Sequence, residues 1–203
     1  MKNNLIVVSG PSGSGKSTLI HMLLRKYPAL LFSVSQTTRP RRKGEVNGQD
    51  YFFVSKNDFE KMIDENSFLE WAEVHQHFYG TSWKEIERKS KRATSLILDL
   101  DIQGARNLKS RFPGAWYIFV VPPTLEELEK RLTKRHGDIL SSENKKRLDT
   151  AREELNQFDM YDFIIVNDNK SKAFTALESI YRAFCQRTGL NKSLLLSMIG
   201  REP

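Results

Sequence analysis

Eight residues constrain this chain more than any others: Gly10-Pro11-Ser12-Gly13-Ser14-Gly15-Lys16-Ser17. An apolar run of strand type, Leu5 to Val8, leads into them, and Leu19, Ile20, Leu23 and Leu24 follow at helical spacing. The order strand, G-x-x-x-x-G-K-S, helix is that of a loop that cradles phosphate. Glycines at 10, 13 and 15 permit backbone angles closed to other residues, so successive N–H groups can turn inward around an anion. The helix behind adds its positive dipole end and its unpaired donors. Lys16 can reach terminal phosphates, the Ser17 hydroxyl can ligate Mg2+, and Thr18 carries the set into the first helical turn. A glycine-rich turn before a chance Lys-Ser would need neither this length nor this context.

The charge balance agrees with anionic partners. The formal net charge is +7 over 203 residues, with 28% charged and 39% hydrophobic side chains, an ordinary soluble balance. Nucleic acid is one candidate, but a cleft holding several phosphates needs the same charge. The Arg39-Pro40-Arg41-Arg42-Lys43 cluster lies inside a patterned segment, without an aromatic-rich RNA-binding motif beside it. Arg88-Lys89-Ser90-Lys91-Arg92 reads as the solvated cationic end of a helix. No apolar run approaches membrane-spanning length. The first strand starts within about five residues, which predicts no leader peptide, and a lone Cys185 fits a reducing compartment. The expectation is a cytoplasmic protein without membrane or nucleic-acid partners.

Strands and helices alternate. After the first helix, which Tyr27-Pro28 ends, Leu30 to Ser35 reads as a strand and Gln36 to Gly48 as a basic loop. Tyr51 to Val54 is a strand candidate, Ser55 to Asp58 a capping box, Phe68 to Val74 extended, and Tyr79-Gly80 a break before a helix capped by Ser82 and Glu85. Thr94 to Asp101 is a strand apolar enough to be covered on both faces. Helix (about 103–112), strand (116–121), a Thr124-capped helix to about Arg135, helix (143 to about 157), strand (163–166) and helix (172 to about 185) follow. This is an α/β pattern with a three-layer core and two excursions, roughly 36–92 and 126–160. The run Leu194 to Ile199 is assigned either to packing on its own core or to a subunit contact, which leaves a homo-oligomer open.

The motifs together resemble guanylate kinases. They are Gly10 to Ser17, Ser33-Val34-Ser35-Gln36-Thr37-Thr38-Arg39, Gly44-Glu45-Val46-Asn47-Gly48-Gln49-Asp50-Tyr51, Phe68-Leu69-Glu70-Trp71-Ala72, Tyr79-Gly80-Thr81, Ile97-Leu98-Asp99-Leu100-Asp101 and Ile164-Ile165-Val166-Asn167-Asp168. The resemblance covers the chain to about residue 185. It implies phosphoryl transfer from ATP, with Mg2+, to GMP. It implies a P-loop NTPase core with a mainly parallel sheet (1–35, 93–125 and 161–203), a mixed α+β GMP-binding insertion (36–92) and a helical lid (126–160).

Site expectations follow from the chemistry and from the resemblance. Phosphoryl transfer asks mainly for positioning and charge neutralisation. Arg39 and Arg42 suit a phosphate, because a guanidinium makes bidentate charge-assisted bonds; the resemblance implies that they hold the GMP phosphate with Tyr51 and Tyr79. A carboxylate at Glu70 can accept guanine N1–H and the 2-amino group side by side, whereas adenine presents a lone pair at N1. Ser35 can donate to guanine O6, and Thr81, beside Gly80, joins the same edge. Asp99 and Asp101, two apart, are read on one strand face at the carboxyl end of the sheet, where ligands bind, against the alternative that an Asp there merely caps the next helix; the resemblance places Asp101 at the nucleoside or the Mg2+ water shell and Asp99 behind it. Arg131 and Arg135, one helical turn apart, and Arg147 can project from the lid to neutralise the transferring phosphates; a surface pair of Arg131 with Glu127 is the alternative, and the resemblance favours the role for Arg135 and Arg147. Asn167 joins the nucleotide contacts by resemblance. His75 and His77 lack a third ligand of suitable spacing and are not read as a metal site.

Three other functions compete. A kinase acting on a sugar phosphate would have no use for a base-reading Glu70. A non-catalytic guanylate-kinase-like module would typically carry a degraded phosphate loop, whereas Lys16 and Ser17 are intact. Nucleic-acid binding comes third.

Overall fold

All five residues of the first strand, Leu5–Ser9, are buried. Leu5 and Val7 belong to one apolar cluster and Ile6 and Val8 to another, so the twofold period of the strand feeds a core on each side. The structure, a computed structural model, describes residues 4–74, 76–91, 95–135 and 142–200; the side chains of 135, 142–147, 193 and 194 are not among those described.

In chain order the elements are β1 (Leu5–Ser9), α1 (Lys16–Lys26), β2 (Leu30–Phe32), β3 (Gln36–Thr37), β4 (Phe52–Phe53), α2 (Lys56–Asp64), β5 (Phe68–Val74), β6 (His77–Ser82) and α3 (Trp83–Ser90). Then come β7 (Ser95–Asp99), α4 (Ile102–Arg111), β8 (Trp116–Val121), α5 (Leu125–Arg135), α6 (Ser142–Leu155), β9 (Phe163–Val166), α7 (Lys170–Cys185) and α8 (Thr188–Met198). Strands β2-β7-β1-β8-β9 form a five-stranded sheet, parallel throughout. Helix α4 covers one face through Ile102, Ala105 and Leu108. Helices α1 and α7 cover the other through Leu19, Ile20, Leu23, Leu177 and Phe184. A parallel sheet buried on both faces needs these continuous apolar strands.

A second, mixed sheet runs β4-β3-β6-β5. Its apolar side closes on α2, where the fully buried Phe59 stacks on Phe68 at 4.4 Å and Phe78 at 5.4 Å. Helices α5 and α6 share a small core of their own, Leu128, Leu132, Leu148 and Ala151.

Several expectations change. Gln36 and Thr37, read as loop, are strand β3, held between β4 and β6. Tyr79-Gly80 is no break: both residues lie inside β6. A Cβ on Gly80 would meet the Phe68 ring at 2.8 Å, so this glycine makes room for packing. The turn lies earlier, where Gln76 takes a left-handed φ of 66° between β5 and β6. The run beyond Arg187 is helical; Leu190 packs toward the core beside α7, while Leu195, Met198 and Ile199 are exposed.

Candidate active site

The phosphate loop joins β1 to α1 in the shape its glycines allow. Gly10, Gly13 and Gly15 all have positive φ. At Gly10 no side chain fits, since a Cβ would sit 2.0 Å from the Val120 carbonyl oxygen. Lys16 turns its Nζ back on the loop, donating to Gly10 O at 2.6 Å and Pro11 O at 3.3 Å. Ser17 Oγ donates to Asp99 Oδ2 at 2.9 Å, which links the first turn of α1 to the carboxyl end of β7.

Opposite the loop lies a basic and aromatic wall. Arg39 is almost buried, its guanidinium 5.4 Å from the Tyr51 ring and 5.8 Å from the Phe53 ring. It makes a two-pronged pair with Glu45, at 2.7 and 3.1 Å. Burial works against the Glu45 charge, but Arg39 and the Arg42 N–H together hold its carboxyl below the usual range. The Tyr51 and Tyr79 rings are 5.9 Å apart. Burial, with Asp99 next in effect, pushes the Tyr51 hydroxyl upward, so it stays a neutral donor.

Glu70 sits at the floor of the same hollow. The pairing of β5 with β6 shifts register between Phe68 and Glu70, an irregularity that re-aims side chains. Leu69 and Glu70 are consequently both buried, and Trp71 is partly exposed. Glu70 Oε1 accepts the Thr81 N–H at 3.0 Å. Ser35 Oγ and Thr81 Oγ1 lie 3.0 Å apart beside it. Burial pushes the Glu70 carboxyl up to about 8; the Thr81 side chain opposes this and Asp101 adds to it. Asp101 is not on the strand, as the spacing suggested. Strand β7 ends at Asp99, and Asp101 caps α4 by accepting the Gly104 N–H at 2.9 Å. A short acidic side chain before a helix satisfies donors the helix leaves open, and that demand overrode strand continuation. Burial also raises the Asp101 carboxyl, while the Gly104 N–H opposes the shift.

Phosphate loop, arginine wall and Glu70 line one cleft of about 810 Å3, with Ser35, Arg42, Tyr51, Tyr79, Gly80, Asp99, Asp101 and Arg131 also at its surface. A sequence model of the guanylate kinases matches residues 2–184. The chain belongs to the guanylate kinase family. It is similar to the guanylate kinase of Geobacter sulfurreducens, 48% identical over 187 residues that cover 91% of this chain and 90% of that one. The guanylate kinase of Caldanaerobacter subterraneus is 42% identical over 194 residues, 96% and 94% of the two chains. A crystal structure of guanylate kinase from Anaplasma phagocytophilum superposes with a TM-score of 0.75 at 29% identity, covering 100% of this chain and 98% of that one. The α/β fold with its parallel core sheet is that of the family.

Beyond the cleft floor, the guanylate kinase motifs that the sequence offered fall into two groups. Asn167 is buried against the phosphate loop and donates from Nδ2 to Ser14 O at 2.7 Å. Arg131 pairs with Glu127, as its spacing suggested, and also donates to Asn167 O at 2.9 Å. Gly13 lies under the same helix, since a Cβ there would meet Leu128 and Leu132 at 3.1 Å. The side chains of Arg135 and Arg147, and His75 as a whole, lie outside the described residues. Pro11, Ser12 and Thr18 stay with the loop, with Ser12 and Thr18 at the cleft surface.

Three contributors escaped the sequence reading. Glu45 stands within the Gly44 to Tyr51 motif with no role that its sequence position reveals. Glu154, on α6, lines the cleft, and burial raises its carboxyl to about 7, with Lys16 opposing and Asp101 reinforcing. Gly104 lets the Glu70 carboxylate approach α4, for a Cβ there would lie 2.6 Å from Glu70 Oε2. A glycine inside a helical pattern was the available signal for Gly104.

Proposed function

We propose that this chain transfers the γ-phosphoryl group of ATP to GMP, giving ADP and GDP. The observation that carries the reading is that Lys16 and Glu70 face one cleft: a loop that grips polyphosphate and a carboxylate suited to guanine share one hollow. The acceptor oxygen of GMP needs no general base, because the second pKa of a phosphate monoester is about 6. What the reaction needs is two anions held together. Arg39 and Arg42, with Tyr51 and Tyr79 as neutral donors, hold the GMP phosphate, and Lys16 exchanges its two loop carbonyls for the ATP phosphates. Glu70 accepts from guanine N1–H and the 2-amino group, while Ser35 and Thr81 address the same edge. A sugar-phosphate acceptor would leave this buried carboxylate without a purpose.

The oxygens at the start of α1 suit a hard cation, since Ser17 and Asp99 present a hydroxyl and a carboxylate together. Ser17 would hold Mg2+ with the nucleotide phosphates, and the bound ion would neutralise their charge. The second sheet with α2 and α3 serves as the GMP-binding insertion, and α5 with α6 as the lid that brings Arg131, Arg135 and Arg147 to the phosphates. No helix among the described residues is long and apolar enough to cross a membrane, and the reading extends to a cytoplasmic enzyme.

A coupled assay of all nucleoside monophosphates with MgATP is the test. ADP release with GMP, and little with AMP, CMP or UMP, is expected. No release with GMP, or equal release with AMP, would overturn the proposal.

A further inference from the structure

The loop between β3 and β4 is stapled by its own polar side chains. The Glu45 N–H donates to Arg42 O at 3.2 Å, Asp50 accepts the Val46 N–H at 2.7 Å, and Asn47 accepts the Phe53 N–H at 2.9 Å. Glu45 goes further than shaping the backbone. Its Oε1 accepts from Arg39 Nη2 at 2.7 Å, and its Oε2 accepts both Arg39 Nη1 at 3.1 Å and the Arg42 N–H at 2.7 Å. Pro40 O takes another Nη1 hydrogen at 2.7 Å.

A guanidinium has five N–H donors in a fixed fork. These bonds spend three of Arg39's donors at its far end. The Nε–H and the second Nη2 hydrogen share one lateral edge spaced for two oxygens of a phosphate, and the Tyr79 hydroxyl, itself proposed to bind the phosphate, hydrogen-bonds this guanidinium as well. The rings of Tyr51 and Phe53 lie beside the guanidinium, which leaves it little freedom to turn.

The geometry points to Glu45 as a positioning residue for the acceptor phosphate: it clamps the far end of Arg39 and the backbone of Arg42, so that the lateral edge of Arg39 is presented to the anion. This rests on the GMP-kinase reading, which assigns Glu45 no role. A carboxylate near an anion site can also be a stand-in that the phosphate must displace. The two roles differ in sign. A stand-in would compete, so its removal would tighten GMP binding; a positioning residue leaves the phosphate an edge of its own, so its removal loosens binding.

The test compares wild type with Glu45→Ala and Glu45→Gln, measuring dissociation constants for GMP by calorimetry and for guanosine by ligand-observed NMR, with the KM for ATP alongside. Glu45→Ala is expected to weaken GMP on the order of tenfold to a hundredfold, the range for a misplaced clamp, and to leave guanosine and ATP unchanged. Glu45→Gln keeps one acceptor but turns an amide N–H toward a donor, so it recovers only part of the loss. Unchanged or tighter GMP binding by Glu45→Ala overturns the inference, as does an equal loss for guanosine, which would mark general damage to the second sheet. Wild-type protein that binds no GMP at all sinks the functional reading itself, before any variant is made.

Discussion

Glu70 is the side chain whose surroundings and task pull against each other. Burial lifts its carboxyl to about 8, so near neutral pH the empty site holds the acid rather than the carboxylate. On the proposed pairing of Glu70 with guanine, whose two donors need both oxygens as acceptors, a proton is expected to leave as the base enters. Between about pH 7 and 8 the GMP phosphate is already deprotonated and guanine keeps its N1 proton, so Glu70 is the group left to titrate at the base. Calorimetry across that range should show GMP binding tightening as pH rises, with proton release strongest at the lower end. Glu70→Gln should bind weakly with no such trend. Stability runs the other way. The folded carboxyl holds its proton more tightly than at the ordinary value of 4.5, so the folded state binds more protons between that value and about 8, and this contribution is lost as pH rises through the window. The Tm advantage of Glu70→Gln over wild type should therefore grow from about pH 5 to pH 9; a constant difference would show that the carboxyl is not raised.

The phosphate loop and α5 are joined by a short relay: Arg131 to the Asn167 carbonyl, and Asn167 Nδ2 to Ser14 O. Asn167→Ala removes the second link and opens space beside Gly15, whose would-be Cβ lies 2.3 Å from that amide nitrogen. One lost bond of this kind is worth about 1 kcal/mol, so the KM for ATP should rise several-fold while the KM for GMP stays constant; a parallel rise in both would refute the relay. The strand, glycine loop and helix that carry this relay were legible because their signals are local: apolar runs of fixed period, and glycines where φ must be positive. Strand β3 was not legible, because its two residues gain strand geometry only from β4 and β6, some 15 and 40 positions away. Gly80 misled for a related reason, since the ring it accommodates belongs to another strand. Asp101 fits the strand pattern and a helix cap equally well in sequence, and only the geometry separates them. Glu45 and Glu154 look like any surface acid until the fold brings Arg39 to one and Lys16 near the other.

At the scale of the whole molecule, the cleft is bounded by three packed units: the parallel sheet, the mixed sheet with α2, and the α5–α6 pair with its separate core. Units with their own cores can move as bodies. Phosphoryl transfer in such a cleft requires exclusion of water that would otherwise consume ATP. Small-angle scattering should show the radius of gyration falling when GMP and a non-hydrolysable ATP analogue are both present, and falling less with either alone; an unchanged radius would speak against closure. The division of labour between the two sheets reaches beyond shape. One nucleotide's proposed anchor points lie on the β1–α1 loop and the start of α1, and the other's beside β3, in the β3–β4 loop and on β5 and β6, so neither reactant builds the berth of its neighbour. The consequence expected of that geometry is arrival in whichever sequence the surrounding supply of the two compounds dictates.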